Sequence, residues 1–144
     1  MAEPRLEDYP LRTTDKLRYG DTDRQGHVNN AVFATFLETG RVELVYDAAH
    51  PLLAPGAAFV IARLELDFRA ELRWPGTVEI GTRVVAVGRS SVTLEQAVFQ
   101  NGTCAALGKS VLVQMDEETR RSRPLEPSTV AWLQSLGGPA EGRM

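Results

Sequence analysis

Hydrophobic and polar positions change period twice along the chain. From Asn30 to about Ala49 the apolar residues Phe33, Phe36, Leu37, Leu44 and Val45 recur at helical spacing, with Gly40 on the same stripe and Glu38, Arg41 and Asp47 off it. This spacing predicts a long helix with one buried face. Asn29 or Asn30 is its N-cap, since a short side-chain oxygen there can accept from one of the first unpaired amides. Gly40 costs about 1 kcal/mol relative to alanine inside a helix, which points to a strand passing too close for a Cβ. Ahead of the helix, "KLRYG" (16–20) reads as a short strand that ends in a polar loop.

Past the turn-forming stretch "HPLLAPG" the period falls to two. In "AFVIARLELDFRA", Ala62, Leu64, Leu66 and Phe68 fall on one face and Arg63, Glu65, Asp67 and Arg69 on the other, a strand with one wet side. "WPG" (74–76) reads as a turn, Val78, Ile80, Val84 and Ala86 alternate in the next segment, and "GRS" (88–90) breaks it. "SVTLEQAVFQ" and "TCAALGKSVLVQM" then form a hairpin closed by Asn101-Gly102. Short connections make neighbours in such a run antiparallel, so the fold class is α+β, with the apolar face of the sheet laid on the one long helix. "PSTVAWLQSLG" predicts a short terminal helix over about 127–136, with Ser128 or Thr129 near its cap and Trp132 and Leu136 on one face.

Composition narrows the class. At 144 residues and 43% hydrophobic, the chain fits one domain over 1–144. A net charge of −3 supplies no basic field for a nucleic-acid backbone, so no nucleic-acid partner is expected. The single cysteine, Cys104, allows no internal disulfide and no thiolate metal cluster, and its apolar surroundings make it a small core side chain. "MAEPRLEDYP" lacks the apolar run of a signal peptide, and nowhere do about 18 consecutive apolar residues occur, so the expectation is a cytoplasmic protein without a membrane partner.

The chemistry concentrates in "YGDTDRQGHVNNAVF" (19–33), between the first strand and the start of the helix. Unpaired amides and the positive end of the helix dipole point outward there, a site suited to developing negative charge. Attack on a carbonyl or thioester carbon creates such charge, and preorganised donors can stabilise it by about 3 to 4 kcal/mol. Asp21 and Asp23 are both candidates for the nucleophile or base. A calcium loop starting at Asp21 would need a bidentate Glu at its twelfth position, where Val32 stands. Asp23, His27 and Asn29 alone make a poor transition-metal site, so no metal is assigned. No G-x-S-x-G elbow, phosphate loop or dinucleotide fingerprint is present.

Taken together, "RYGDTDRQGHVNNAVFATFLETGR" resembles the signature segment of hotdog-fold acyl-CoA thioesterases of the 4-hydroxybenzoyl-CoA thioesterase-like family. In that family an aspartate in a D-x-x-G-H-V-N-N-x-x-Y-type loop precedes the long central helix. The looser resemblance in element order spans roughly Thr13 to Asp116 (core about 13–116), and it implies a curled antiparallel sheet wrapped around that helix. Carried over by position, it makes Asp23 the catalytic carboxylate, nucleophile or general base, and leaves Asp21 secondary. It also implies that His27 and Asn30 serve catalysis, the latter through amides that polarise the thioester carbonyl. Gly26 lets the loop turn, while Asn29 and Phe33 shape the pocket, Phe33 standing where the family commonly has Tyr. Plant acyl-carrier-protein thioesterases carry a similar segment, against which Gln25 is a departure. Glu38 takes a supporting or structural role.

The resemblance further implies hydrolysis of an acyl-CoA, with an acyl-carrier-protein thioester as second choice, no cofactor, and a homodimer or homotetramer with sites where subunits meet. "AFVIARLELDFRA" is the candidate edge for strand pairing. Arg63, Arg69, Arg73 and Arg89 are candidates for the coenzyme A phosphates, with Arg89, Ser90 and Ser91 the first choice because a turn offers amides beside the guanidinium. Phe36 and Phe59 join Phe33 as candidate pocket walls. The other functional classes are a hotdog hydratase or dehydratase acting on acyl thioesters through Asp23 and His27, and a non-catalytic acyl-thioester-binding module.

Overall fold

A computed structural model describes residues 3–137. Five strands form one antiparallel sheet: β1 (Leu11–Lys16), β2 (Ala57–Phe68), β3 (Thr77–Val87), β4 (Ser91–Gln100) and β5 (Thr103–Asp116), in the order β1-β3-β4-β5-β2. Among the described residues two α-helices accompany it, α1 (Asn30–Val45) and α2 (Pro127–Gln134). The α+β class and the antiparallel run after a single long helix are as the hydrophobic periods require. Among the described residues, no helix is long and apolar enough to cross a membrane.

The helix begins where expected and Asn29 is its cap, its Oδ1 accepting from the Ala31 amide at 3.0 Å. It ends at Val45 rather than near Ala49, because Asp47 Oδ1 takes the amides of Ala49 and His50 and folds that segment into a turn. Phe33, Phe36, Leu37, Gly40, Leu44 and Val45 are its buried residues. The first strand lies earlier than "KLRYG": β1 stops at Lys16, and Tyr19–Asp21 is a 3₁₀ turn. The polar run "LRTTDK" hides its alternation, visible only as half-buried Leu11, Thr13 and Asp15. At the other end, neither Ser128 nor Thr129 caps α2. Glu126 holds the cap position, Pro127 supplies the first turn, and Thr129 is buried. Trp132 and Leu136 do share one hydrophobic cluster, with Leu133 between them fully enclosed.

The hairpin of β4 and β5 closes through Asn101 (φ 51°) and Gly102 (φ 80°), both left-handed as a two-residue turn demands. Residues 88–90 break β3 from β4. In β3 the pairing slips between Val84 and Ala86, and Ala86 is left exposed. In β2 the register shifts between Ile61 and Arg63, and the strand lies at the sheet edge as expected. Its apolar face is only partly covered: α1 lies mainly over β1, β3 and β4, Leu66 packs against the core, and Ile61, Leu64 and Phe68 stay exposed to 47%, 39% and 53%.

The helix seats on the sheet through one buried amide. Gln96 on β4 is 1% exposed, and its Nε2 donates to the Leu37 carbonyl at 2.9 Å and to Thr82 Oγ1 at 3.0 Å. A Cβ on Gly40 would sit 2.6 Å from that nitrogen and 2.9 Å from both Ile80 Cγ2 and Thr82 Oγ1. The close approach inferred from the sequence is therefore real. Cys104 packs beside Tyr9 and Phe99, and burial pushes its thiol above the ordinary range, as suits an inert core residue.

Gly40→Ala sets about 1 kcal/mol of gained helix propensity against overpacking of about 1 to 3 kcal/mol and a strained buried hydrogen bond of similar worth. The expected outcome is a net loss of about 1 to 3 kcal/mol, read as a lowered midpoint in urea denaturation. An unchanged or raised midpoint would mean that the helix rides further from the sheet.

Candidate active site

The two aspartates of the loop do different work. Asp21 is 4% exposed; its Oδ2 accepts from the Arg18 amide at 2.9 Å and Nε at 3.3 Å, and its Oδ1 from Arg18 Nη2 at 2.8 Å. The Arg18 guanidinium and amide hold its carboxyl below the usual carboxylate range. The Asp21 carbonyl accepts from the Asn29 amide at 2.8 Å, so this residue ties the start of the loop to the cap of α1. It is a clamp turned inward.

Asp23 is exposed and faces a cavity. Its amide donates to the His27 carbonyl at 2.7 Å, and its carbonyl accepts from Gly26 at 3.1 Å. Its Oδ1 accepts from the amides of Gln25 at 2.9 Å and His27 at 3.2 Å, while Oδ2 has no protein donor among the described residues. Gly26 closes this turn at φ +84°, where a side chain would be strained. Gln25 thus serves the loop through its backbone.

The loop is held by two short extended segments lying side by side. Val28 donates its amide to the Leu72 carbonyl at 2.9 Å, and His27 bridges Arg73. Val28 and Leu72 are both buried, which turns their neighbours His27, Asn29, Glu71 and Arg73 away from the core. His27 Nε2 lies 3.2 Å from Glu71 Oε2, and the same oxygen is 2.9 Å from Arg73 Nη2. At the helix start, Ala31 and Val32 donate to the Asn29 side chain and carbonyl, whereas the Asn30 amide has no acceptor among the described residues.

The cavity measures about 580 Å³. Asp23, His27, Val28, Asn29, Asn30 and Phe33 line one side of it, and Phe68, Arg69, Ala70 and Glu71 the other. Phe33 and Phe68 meet edge to face at 5.1 Å and form the apolar wall. The structure therefore brings together Asp23, His27, Asn29, Asn30 and Phe33, with Gly26 shaping the loop from outside the lining. It does not bring Arg89, Ser90 and Ser91 to them. That turn joins β3 to β4, whereas the Gln100 end of β4 is the one tied to Arg73, about 30 Å away along ten residues of strand. Phe36 and Phe59 belong to the core clusters, Glu38 is exposed on α1, and Arg63 pairs with Glu65. Of the arginines considered for phosphate, Arg69 lines the cavity.

Glu71, Phe68 and Ala70 are site residues that sequence reasoning did not single out. The only local signal was an acid just past an edge strand, in "RAELRWPG"; its meeting with His27 depends on a bridge between segments 46 residues apart. Among the described residues, no group of three or more His, Cys, Asp or Glu side chains is placed to hold a metal ion.

A curled antiparallel sheet on one long helix, with an acid loop opening onto the helix start, is the hotdog architecture. The chain belongs to the thioesterase-like superfamily, whose sequence model matches residues 17–133. It is 28% identical over 120 residues to the acyl-CoA thioester hydrolase YbgC of Escherichia coli, a match covering 81% of this chain and 90% of that protein. A thioesterase from Thermus thermophilus, solved with coenzyme A and zinc, is 34% identical with a TM-score of 0.76, covering 96% of this chain and 98% of that one. The PA5185 protein of Pseudomonas aeruginosa gives a TM-score of 0.84 at 26% identity, covering 95% and 98%.

The Asp21 clamp sets a pH dependence. Because its carboxyl titrates lower in the folded chain than the ordinary 3.8, the pair stabilises the fold above that value and the contribution fades as pH falls through the lowered one. Asp21→Asn is expected to cost about 1 kcal/mol near neutrality, discounted because the Arg18 side chain is 71% exposed. In denaturation curves taken across pH, the gap between native and variant should close in strong acid; a gap constant with pH would show that the charge contributes nothing.

Proposed function

We propose that this chain is an acyl-CoA thioesterase, and that Asp23 is its catalytic carboxylate. The carrying observation is a carboxylate with one oxygen fixed by two amides and the other without a donor among the described residues, in a cavity that also holds the start of α1. The YbgC relative and the coenzyme A complex of the Thermus thermophilus neighbour support the substrate class.

With the thioester carbonyl oxygen beside the Asn30 amide, the helix dipole and that unpaired N–H stabilise the charge that develops on it. Asp23 Oδ2 takes a proton from a water whose oxygen bonds to the carbonyl carbon. The tetrahedral adduct then collapses, the carbon–sulfur bond breaks with its electron pair going to sulfur, and the proton held by Asp23 passes to the departing thiolate. Acid and free coenzyme A result, and Asp23 is regenerated. His27 and Asn29 shape the polar rim, and Phe33 with Phe68 faces the acyl group. Arg69 stands at the same mouth, where a phosphate of the coenzyme can reach it.

A homo-oligomer belongs to the same proposal. Among the described residues strand β2 has no partner on its outer edge, its Ile61, Leu64 and Phe68 are exposed, and Phe68 is also cavity wall, so a second copy pairing along β2 would cover apolar surface and close the site together. Arg89, Ser90 and Ser91 can serve a substrate only from such a neighbouring chain. The location we propose is the cytoplasm, consistent with a lone cysteine that is free and buried.

Thiol release from a panel of acyl-CoAs tests the assignment. Asp23→Asn should lower turnover at least about a hundredfold while the chain stays folded, as for loss of a general base or nucleophile; a folded, unimpaired variant rejects it. Sedimentation of the native chain should show at least two copies together, and a monomer at micromolar concentration would remove the shared site.

A further inference from the structure

We infer that Glu71 is a positioning residue that holds the His27 ring in the tautomer protonated on Nε2, leaving Nδ1 as the ring's acceptor for the attacking water. This rests on the thioesterase proposal for its consequence in catalysis, though not for the tautomer itself.

The geometry leaves the carboxylate little choice. Glu71 Oε2 lies 3.2 Å from His27 Nε2 and 2.9 Å from Arg73 Nη2, and an ionised carboxylate can only accept. A bare nitrogen lone pair beside that anionic oxygen is repelled, whereas a proton on Nε2 is attracted to it; the contact is one of charge proximity, unlike the aligned hydrogen bond that Arg73 Nη2 donates. Arg73 Nη2 donates to the same oxygen and steadies its direction. The backbone enforces the meeting: Val28 to Leu72 is a direct hydrogen bond, His27 bridges Arg73, and buried Leu72 anchors the segment on which Glu71 and Arg73, two apart, point the same way.

His27 is fixed from its other end too, since its amide donates to Asp23 Oδ1 and its carbonyl accepts from the Asp23 amide. The ring is 24% exposed and lines the cavity. With the proton kept on Nε2 by the facing carboxylate, Nδ1 is left as the ring's acceptor and can take one hydrogen of a water whose other proton goes to Asp23 Oδ2. Two acceptors on one water aim its oxygen lone pair at the thioester carbon, a matter of orientation rather than of a second base. No net proton is moved by His27 in this arrangement.

The chain has two histidines, which makes the test clean. His50 stacks on Trp132 at 3.6 Å, far from the loop in environment, and His50→Gln assigns its signals. Nitrogen-15 spectra of the imidazoles at mildly alkaline pH should show His27 protonated on Nε2 in the native chain. Glu71→Gln, equal in size but able to donate from its amide, should populate the Nδ1–H tautomer and lower kcat about ten- to a hundredfold with KM changed less than about threefold. Glu71→Asp, which keeps a carboxylate, should restore the Nε2–H form and part of the turnover.

A native His27 protonated on Nδ1 overturns the inference, whatever the variants do. So does a Glu71→Gln chain that keeps both its tautomer and its kcat, or one that loses kcat with the tautomer unchanged. If the native chain releases no thiol from any acyl-CoA, the thioesterase proposal fails separately, and the spectra still decide whether Glu71 sets the ring.

Discussion

A single buried carboxamide holds the helix to the sheet. Gln96 reaches across from β4 to the carbonyl of Leu37, in the middle of α1, and it can do so only because Gly40 has no side chain in the way. Burying an amide without partners costs several kcal/mol, so this contact locks the axial position of the helix and does not merely add to its packing. A slip by one residue would break the bond from Gln96 to the Leu37 carbonyl, leaving only Thr82 as its partner, and drive a Cβ into Ile80 and Thr82. Fixing the helix along its axis fixes its first turn in space, which is where the cavity lies.

The loop inherits that rigidity. Asp21 accepts from Arg18 with its side chain and from Asn29 with its carbonyl, so the residue before the helix is anchored at both ends. Between these anchors Asp23 folds the chain back on itself around Gly26 and presents one carboxylate oxygen that has no donor among the described residues. Two acids of the same type, two residues apart, are thereby separated in role by burial and partners alone. The inward one is committed to structure, and the outward one is available for chemistry.

Much of this was legible in the chain, and the reasons are local. The helical stripe with a glycine on it, the alternation of the long strands and the Asn101-Gly102 turn depend on periods and backbone preferences that neighbouring residues carry. The acid loop was legible as a motif because its residues are contiguous. What escaped depends on distant pairing. The polar alternation of β1 is too weak to reveal a strand until Thr77–Val87 lies beside it, and Glu71 joins the site only because Leu72 accepts from Val28. The turn at Arg89 has suitable chemistry but lies at the far end of its strands from the cavity of its own chain, a distance that composition does not encode. The exposure of Leu64 and Phe68 follows likewise from which strands α1 covers.

The same division explains why the cavity is a half-enclosed one. Its polar wall is built from a loop, a helix start and the segment after β2, all tied together by backbone hydrogen bonds within the chain. Its apolar wall ends at Phe68 on an edge strand, where the sheet has no further partner among the described residues and the ring is half exposed. In the proposed mechanism a directed water and a fixed oxyanion donor need the rigid side, whose lining residues are held by hydrogen bonds within the chain. The acyl group needs dry surface, which a neighbouring copy can supply without loss of precision. An edge strand is therefore a tolerable place to end the pocket, since the surface left open by one chain is the surface that a second can bury.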